Sequence, residues 1–456
     1  MFVDPANYKA PALYFEKHAV IIMSIEQLYA IFLECRQVTI DSRTVTPGAL
    51  FFAIRGERFD GNNFAGDALE AGAAYAVVDK SEVVEGKRFL LVDDALKTLQ
   101  ELARYHRRQF EIPVIGITGS NGKTTTKELI SAVVGSHYAL HFTRGNFNNH
   151  IGVPLTLLAM PPETEVAVIE MGANHQGEID LLSQIAEPTH ALITNIGKAH
   201  LEGFGGIEGV KKGKSELYRF LAETGGLAFI NRDAAFLEEL AKPVKQKIYY
   251  KRCEELNQKE IPYGVQVLAV QPFVRVAFLD DRGQRLEINT QLIGAYNVDN
   301  VMTAITLGKY FKVPGAKIKR SIEAYVPQNN RSQVLKKDTN TFILDAYNAN
   351  PSSMLGALDH FQDMDVPHKV VILGDMLELG PYAAAEHESI ARYAAEQDFD
   401  RVLLVGAAFE AGALQLGLRH FPDVAALRKW WQTQSIEHTH ILIKGSRRIQ
   451  LEDLVK

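Results

Sequence analysis

The sequence predicts an α/β protein of three domains: a small α/β N-terminal domain, a central P-loop domain on a mostly parallel sheet, and a C-terminal Rossmann-like α/β domain. Three observations carry this prediction. Short apolar runs of strand length alternate with amphipathic helical patterns through most of the chain, the order that yields parallel sheets covered by helices. A glycine-rich turn ending in Gly122-Lys123-Thr124 separates one such run from a helix. The chain has 456 residues, more than one ordinary core holds.

Composition narrows the class. With 46% hydrophobic and 23% charged residues the chain matches ordinary globular proteins. Its formal charge of -6 is spread without a basic block, which gives no reason to expect nucleic-acid binding. Cys35 and Cys253 stand far apart, which excludes a disulfide scaffold or a cysteine zinc site and suits a reducing compartment. The opening Met1-Phe2-Val3-Asp4-Pro5 lacks a basic leader, and no apolar run reaches bilayer length, so a cytoplasmic protein without membrane insertion is expected.

Along the chain, residues 1–22 read as an N-terminal extension, because Met23 is followed at once by the amphipathic set Ile25, Leu28, Tyr29, Phe32 and Leu33. An arm docked on the first domain is the other reading. Residues 23–112 mix short strands, glycine-marked turns and helices, closing with a helical stretch from Ala95 to Phe110 that carries a basic run from Arg104 to Arg108. Residues 113–327 hold the strand-like runs Val114 to Ile117, Val166 to Ile169 and Ala191 to Thr194, with two or three antiparallel strands from Val265 to Thr290. Residues 328–456 repeat the strand-then-helix rhythm at Phe342 to Asp345, Val370 to Leu373, Val402 to Val405 and Ile441 to Lys444.

The strongest local signal is Thr118-Gly119-Ser120-Asn121-Gly122-Lys123-Thr124-Thr125, lying between an apolar strand and a helix pattern. Strict P-loop spacing would put a glycine at position 117, where Ile117 stands, so this is a variant. The physics survives the change. Gly119 and Gly122 let backbone N–H groups turn onto phosphate oxygens at a helix N-terminus, Lys123 reaches the outer phosphates, and the Thr124 hydroxyl suits Mg²⁺.

A P-loop alone leaves kinase, GTPase, motor and ligase open, so the residues around the γ-phosphate must decide. Glu170 ends an apolar strand, at the sheet edge where such folds bind ligands, and offers an oxygen to a hard cation. His200 follows the strand ending at Thr194, as either a ligand or a loop hydrogen-bonder. Lys214 lies in a helical segment from Glu208 to Leu221 and can return to the same cleft.

These residues resemble the Mur ligase family of peptidoglycan-precursor synthesis, from Met23 nearly to the end. The likeness rests on the loop 118–125 together with Asn146-Phe147-Asn148-Asn149-His150-Ile151-Gly152, Glu170-Met171-Gly172, Asn195 to Gly205, Tyr296-Asn297-Val298-Asp299-Asn300, Asn330-Arg331-Ser332 and Asp345-Ala346-Tyr347-Asn348-Ala349-Asn350-Pro351. The last segment resembles the dipeptide-adding branch. The resemblance implies ATP and Mg²⁺ as cofactors, UDP-N-acetylmuramoyl-tripeptide and D-alanyl-D-alanine as substrates, and a monomer.

Carried onto this chain, the resemblance implies that Thr118, Gly119, Asn121, Gly122, Lys123, Thr124 and Thr125 bind the nucleotide phosphates. It places Thr124, Glu170, His200 and a carbamylated Lys214 at the metal. A carbamate reverses the repulsion an ammonium would meet there. A Lys211-Lys212 pair precedes Lys214 and competes with it for that role. Asn297 and Asn300, spaced i, i+3, are implied on the adenine side, with helix N-capping by Asn297 as the other reading. Arg331 is implied at the γ-phosphate and Asp345 at the nucleotide, although a lone Arg331 is more often a surface ion-pair partner. Ser42 and Arg43 are implied toward the UDP-linked substrate, Asn146 and Asn149 as further substrate-binding residues, and Tyr347, Asn348 and Asn350 toward the dipeptide. The expected reaction is ligation through an acyl phosphate; an amino-acid-adding or folylpolyglutamate-type ligase, or a nucleotide switch without ligase chemistry, are the rivals.

Overall fold

The computed structural model describes residues 23–328 and 330–455, so the expected extension 1–22 lies outside the described residues. By contact the chain forms two compact units, one running up to Gly116 with Ala139–Gly172 and Asp180–His190, the other Ile117–Tyr138, Ala173–Ile179 and Ala191 onward.

In the first unit, helix Ile25–Cys35 starts at a capping box in which Ser24 and Gln27 exchange side-chain and backbone bonds. Four parallel strands follow in sequence order, Val38–Thr39, Leu50–Phe52, Tyr75–Val78 and Phe89–Leu91. Phe51, Ala53, Ala65, Ala68, Leu69 and Val78 form their core. Helix Ala95–Arg107 is capped by Asp94 and stops three residues short of the expected Phe110. The basic run explains the stop. Buried Arg107 donates to the carbonyls of Phe110, Ala186 and Glu187, while Arg104 and Arg108 grip the Glu187 carboxylate.

Nine strands form one sheet in the order Arg285–Asn289, Arg275–Leu279, Gly264–Ala269, Gln246–Arg252, Leu227–Asn231, His190–Ile193, Val114–Thr118, Val166–Glu170 and Leu140–Phe142. The three strands expected around the P-loop are present, and the expected antiparallel segment is Gly264–Ala269, Arg275–Leu279 and Arg285–Asn289. The helical segment expected from Glu208 to Leu221 is instead two helices, Ile207–Lys214 and Glu216–Thr224. At their junction the Ser215 hydroxyl donates to the Lys212 carbonyl, a local bond that competes with the helical ladder.

The C-terminal sheet has six strands in the order Gln333–Lys337, Asn340–Asp345, His440–Lys444, Lys369–Gly374, Arg401–Val405 and Arg419–Phe421. The first pair is antiparallel and the rest are parallel. Four were expected. The two edge strands were not, since Gln333–Lys337 is polar and Arg419–Phe421 only three residues long. Ile372, Val405, Leu427, Ile441 and Ile443 fill the core here. No described helix is long and apolar enough to cross a membrane.

Two histidines, His106 buried and His190 half-buried, give the first unit an acid sensitivity. The Nδ1 of His106 lies 3.1 Å from the Tyr29 hydroxyl and its Nε2 3.4 Å from the Met160 carbonyl. Burial holds both His106 and His190 down to about 4. Between the ordinary value of 6.5 and about 4 the unfolded chain therefore binds protons that the folded chain refuses. Stability present above that window is lost as pH falls through it. Thermal melts are expected to show Tm dropping across this range, with a shallower drop for a His106→Gln, His190→Gln variant.

Candidate active site

The phosphate loop is shaped by two glycines. Gly119 has φ 142° and Gly122 φ 78°, conformations costly for any residue with a side chain. Both also sit where no Cβ fits: one on Gly119 would stand 2.0 Å from the Thr194 hydroxyl, one on Gly122 2.6 Å from the Asn300 side-chain oxygen. Gly122 precedes helix Lys123–Gly135 without a capping side chain. Gly122 thus brings no side chain to the helix N-terminus, where backbone N–H groups favour an anion.

The loop is stitched to the segment after strand His190–Ile193. Ser120 N–H donates to the Asn195 carbonyl, Asn121 N–H to the Asn195 side chain, and the Thr194 hydroxyl to the Asn121 carbonyl at 2.6 Å. Lys123 arches back so that its Nζ lies 2.7 Å from the Gly119 carbonyl and 3.2 Å from that of Ser120, which keeps its charge over the loop. Thr118 and Thr124 are buried beside it.

Asn297 and Asn300 join this assembly from helix Tyr296–Tyr310. Asn297 donates to the Ile293 carbonyl, Asn300 donates to Asn297, and the Thr126 hydroxyl donates to Asn300 at 2.8 Å. Both amides are buried. The N-capping alternative for Asn297 does not hold, because the residue lies inside the helix and Ala295 occupies the cap position.

Lys214 is fully buried. Burial first, and the nearby Lys123 charge second, push its amine well below the ordinary lysine value. Its Nζ donates to the Ala173 carbonyl at 3.1 Å and stands 5.0 Å from the Phe204 ring. Of the neighbouring lysines, Lys212 is exposed and Lys211 pairs with Glu208, so Lys214 alone among the three is enclosed. His200 has φ 53° at the start of helix Leu201–Phe204 and directs Nδ1 onto the Glu378 carboxylate. That hydrogen bond holds the Glu378 carboxyl below the usual range. In the first unit Glu170 ends its strand 1% exposed, its Oε1 accepting from Asn148 at 2.8 Å and its N–H donating to Thr143.

From the C-terminal sheet, Asp345 accepts from Lys444 at 2.5 Å and from the Ser332 N–H. Among the described residues Arg331 makes no ion pair; its guanidinium lies 3.7 Å from the centre of the Tyr347 ring, with Arg447 on the same ring at 5.1 Å. Asn350 caps helix Pro351–Gln362 and donates to the Asn121 side chain at 2.7 Å. The Asn348 side chain accepts from the next backbone N–H. In the first unit, Ser42 opens a short turn, Arg43 pairs with Asp41 at the surface, Asn146 is exposed, and the Asn149 side chain accepts from the Ile151 and Gly152 N–H groups. Sequence reasoning assigned no role to Asn148, Glu378, Lys444 or Arg447. Position beyond a strand's carboxyl end was an available signal for Glu378, which follows strand Lys369–Gly374.

Three Mur ligase regions match in order: the Mur ligase family catalytic domain over residues 34–110, the middle domain over 117–308, and the glutamate ligase domain over 330–447. UDP-N-acetylmuramoyl-tripeptide–D-alanyl-D-alanine ligase of Bacillus subtilis (strain 168) is 36% identical over 436 residues, covering 92% of each chain. The chain belongs to the Mur ligase family. The ligase of the same name from Escherichia coli (strain K12) is 34% identical, again with 92% of each chain covered. A crystal structure of MurF from Acinetobacter baumannii superposes with a TM-score of 0.83 at 32% identity and 92% coverage of both chains. Folylpolyglutamate synthase of Mycobacterium tuberculosis, at 17% identity and TM-score 0.59, shares the fold.

The residues of this Mur ligase fit a nucleotide, since the glycine loop forms a cradle that any Cβ would fill. They fit a hard cation in part. Glu170 and Thr124 offer oxygens, but no group of three or more His, Cys, Asp or Glu is gathered as a metal site among the described residues. A Mg²⁺ here would draw other donors from nucleotide and water, as this ion commonly does. Replacing Gly119 by Ala is expected to lower affinity for a non-hydrolysable ATP analogue by at least about tenfold, measured by calorimetry, with unchanged far-UV dichroism.

Proposed function

We propose that this Mur ligase joins the amine of D-alanyl-D-alanine to the terminal carboxylate of UDP-N-acetylmuramoyl-tripeptide while ATP is converted to ADP and phosphate. The observation that carries the reading is the match, over 92% of both chains, to ligases bearing that name, together with a phosphate loop shaped as this chemistry needs. A carboxylate oxygen attacks the γ-phosphorus and ADP leaves. The dipeptide's amine then attacks the acyl carbon of the acyl phosphate, the C–O bond to phosphate breaks, and the amine gives up its proton.

The chain's residues divide the work. Lys123 with Thr118, Gly119, Asn121, Gly122 and Thr125 holds the phosphates, their loop already fixed by Thr194 and Asn195. Asn297, Asn300 and Asp345 serve the nucleoside side, and Arg331, propped on Tyr347, supplies positive charge to the transferred phosphoryl group. Ser42 and Arg43 serve the UDP-linked substrate, with Asn146 and Asn149 as further substrate-binding residues. Tyr347, Asn348 and Asn350 serve the dipeptide. Thr124, Glu170, His200 and Lys214 are the residues that would hold a Mg²⁺, which would neutralise charge on the phosphates. We place the enzyme in the cytoplasm as a monomer; its two free cysteines fit a reducing compartment.

Lys214 fits carbamylation. Only a neutral amine attacks CO₂, forming the N–C bond and releasing a proton, and burial, by pushing this amine well below the ordinary lysine value, favours that form. In CO₂-depleted buffer activity is expected to fall and bicarbonate to restore it, whereas Lys214→Ala should lose roughly 100-fold or more with no bicarbonate response. Undiminished activity without CO₂ would remove the carbamate. In an amine panel, ADP release in the presence of the UDP-linked tripeptide should respond to D-alanyl-D-alanine and not to single amino acids; stimulation by one amino acid instead would assign the chain to another branch.

A further inference from the structure

Two loop corners meet where the C-terminal domain docks on the P-loop domain. His200 has φ 53° and Glu378 φ 63°, both in the left-handed region that residues with side chains seldom occupy. The Glu202 N–H donates to the Glu378 carbonyl at 3.2 Å, and the Glu378 carboxylate meets Nδ1 of His200. Around them the same docking places the Lys198 N–H on the Ser352 hydroxyl at 2.9 Å and the Lys198 ammonium on Glu386 at 2.5 Å. Glu378 thus arrives from the strand-end loop of one domain to a histidine of another.

We propose that Glu378 is a positioning residue for His200. An ionised carboxylate only accepts hydrogen bonds, so its contact with Nδ1 fixes the ring proton there and leaves Nε2 as the nitrogen with the lone pair. A carboxylate on the far nitrogen is the arrangement that orients a ligating imidazole and raises its basicity. Because Glu378 belongs to the C-terminal domain, the orienting bond exists only when that domain is docked. Docking therefore prepares the histidine, and cation affinity and domain position become linked. The strained backbone at both residues fits such a role better than that of a simple latch, for which the Lys198–Glu386 pair already suffices.

The inference rests on the reading of His200 as a cation-facing residue, and the test separates the two. Mn²⁺ affinity is measured by electron paramagnetic resonance in the presence of a non-hydrolysable ATP analogue, for the wild type and for His200→Ala, Glu378→Ala, Glu378→Gln and Glu386→Ala. Expected are roughly tenfold weaker binding for H200A and E378A, a smaller loss for E378Q, whose amide oxygen still accepts from Nδ1, and less than about twofold change for E386A. The double variant H200A/E378A should bind no more weakly than H200A. If H200A weakens binding and E378A does not, or if E386A weakens it as much as E378A, Glu378 is a docking contact only and the proposal is overturned. If H200A itself leaves affinity unchanged, the reading of His200 fails and the proposal with it.

Discussion

The structure depends on a backbone that has no room for side chains at two points. Gly119 and Gly122 are pressed against Thr194 and Asn300, and the loop between them is tied to Asn195. These contacts fix where the helix dipole, the helix N-terminus and the Lys123 charge converge. Strand His190–Ile193, which Thr194 follows, and helix Tyr296–Tyr310, which carries Asn300, set the positions of the groups that press on the loop. An anion met there encounters donors already in place, and little reorganisation is left for the moment of reaction.

Around that fixed point the chain places groups whose chemistry depends on burial or on docking. Lys214 is a lysine whose charge the interior disfavours, so that burial pushes its amine well below the ordinary lysine value. The C-terminal domain contributes through contacts rather than through its own core. Asn350 reaches Asn121 in the phosphate loop, Ser352 and Glu386 reach Lys198, and Glu378 reaches His200. A ligation with a reactive acyl intermediate benefits from such contacts, because its reacting parts must be held together away from water.

Much of this was legible in the sequence, for identifiable reasons. Buried parallel strands such as Val166–Glu170 and Lys369–Gly374 are nearly continuous apolar runs, and the glycine-rich turn announces itself by composition. Edge strand Gln333–Lys337 was hidden because a half-exposed strand of polar residues has no apolar signature. The break at Ser215 was hidden because one side-chain bond decides it. In the site, residues standing in loops after strands were visible by position, whereas their partners were not. Nothing in local sequence says that Lys444 will neutralise Asp345, that Arg447 will share the Tyr347 ring with Arg331, or that Glu378 will find a histidine 178 positions away. Those pairings are made by the fold.

The most direct test of the account follows oxygen. With the tripeptide's terminal carboxylate labelled with ¹⁸O, a single turnover in the presence of ATP and D-alanyl-D-alanine must deliver one labelled oxygen to the released phosphate, read by mass spectrometry or by the ³¹P isotope shift. Labelled phosphate is the predicted result; phosphate that instead takes its fourth oxygen from solvent water, with the label retained in the substrate, would contradict phosphoryl transfer to the carboxylate.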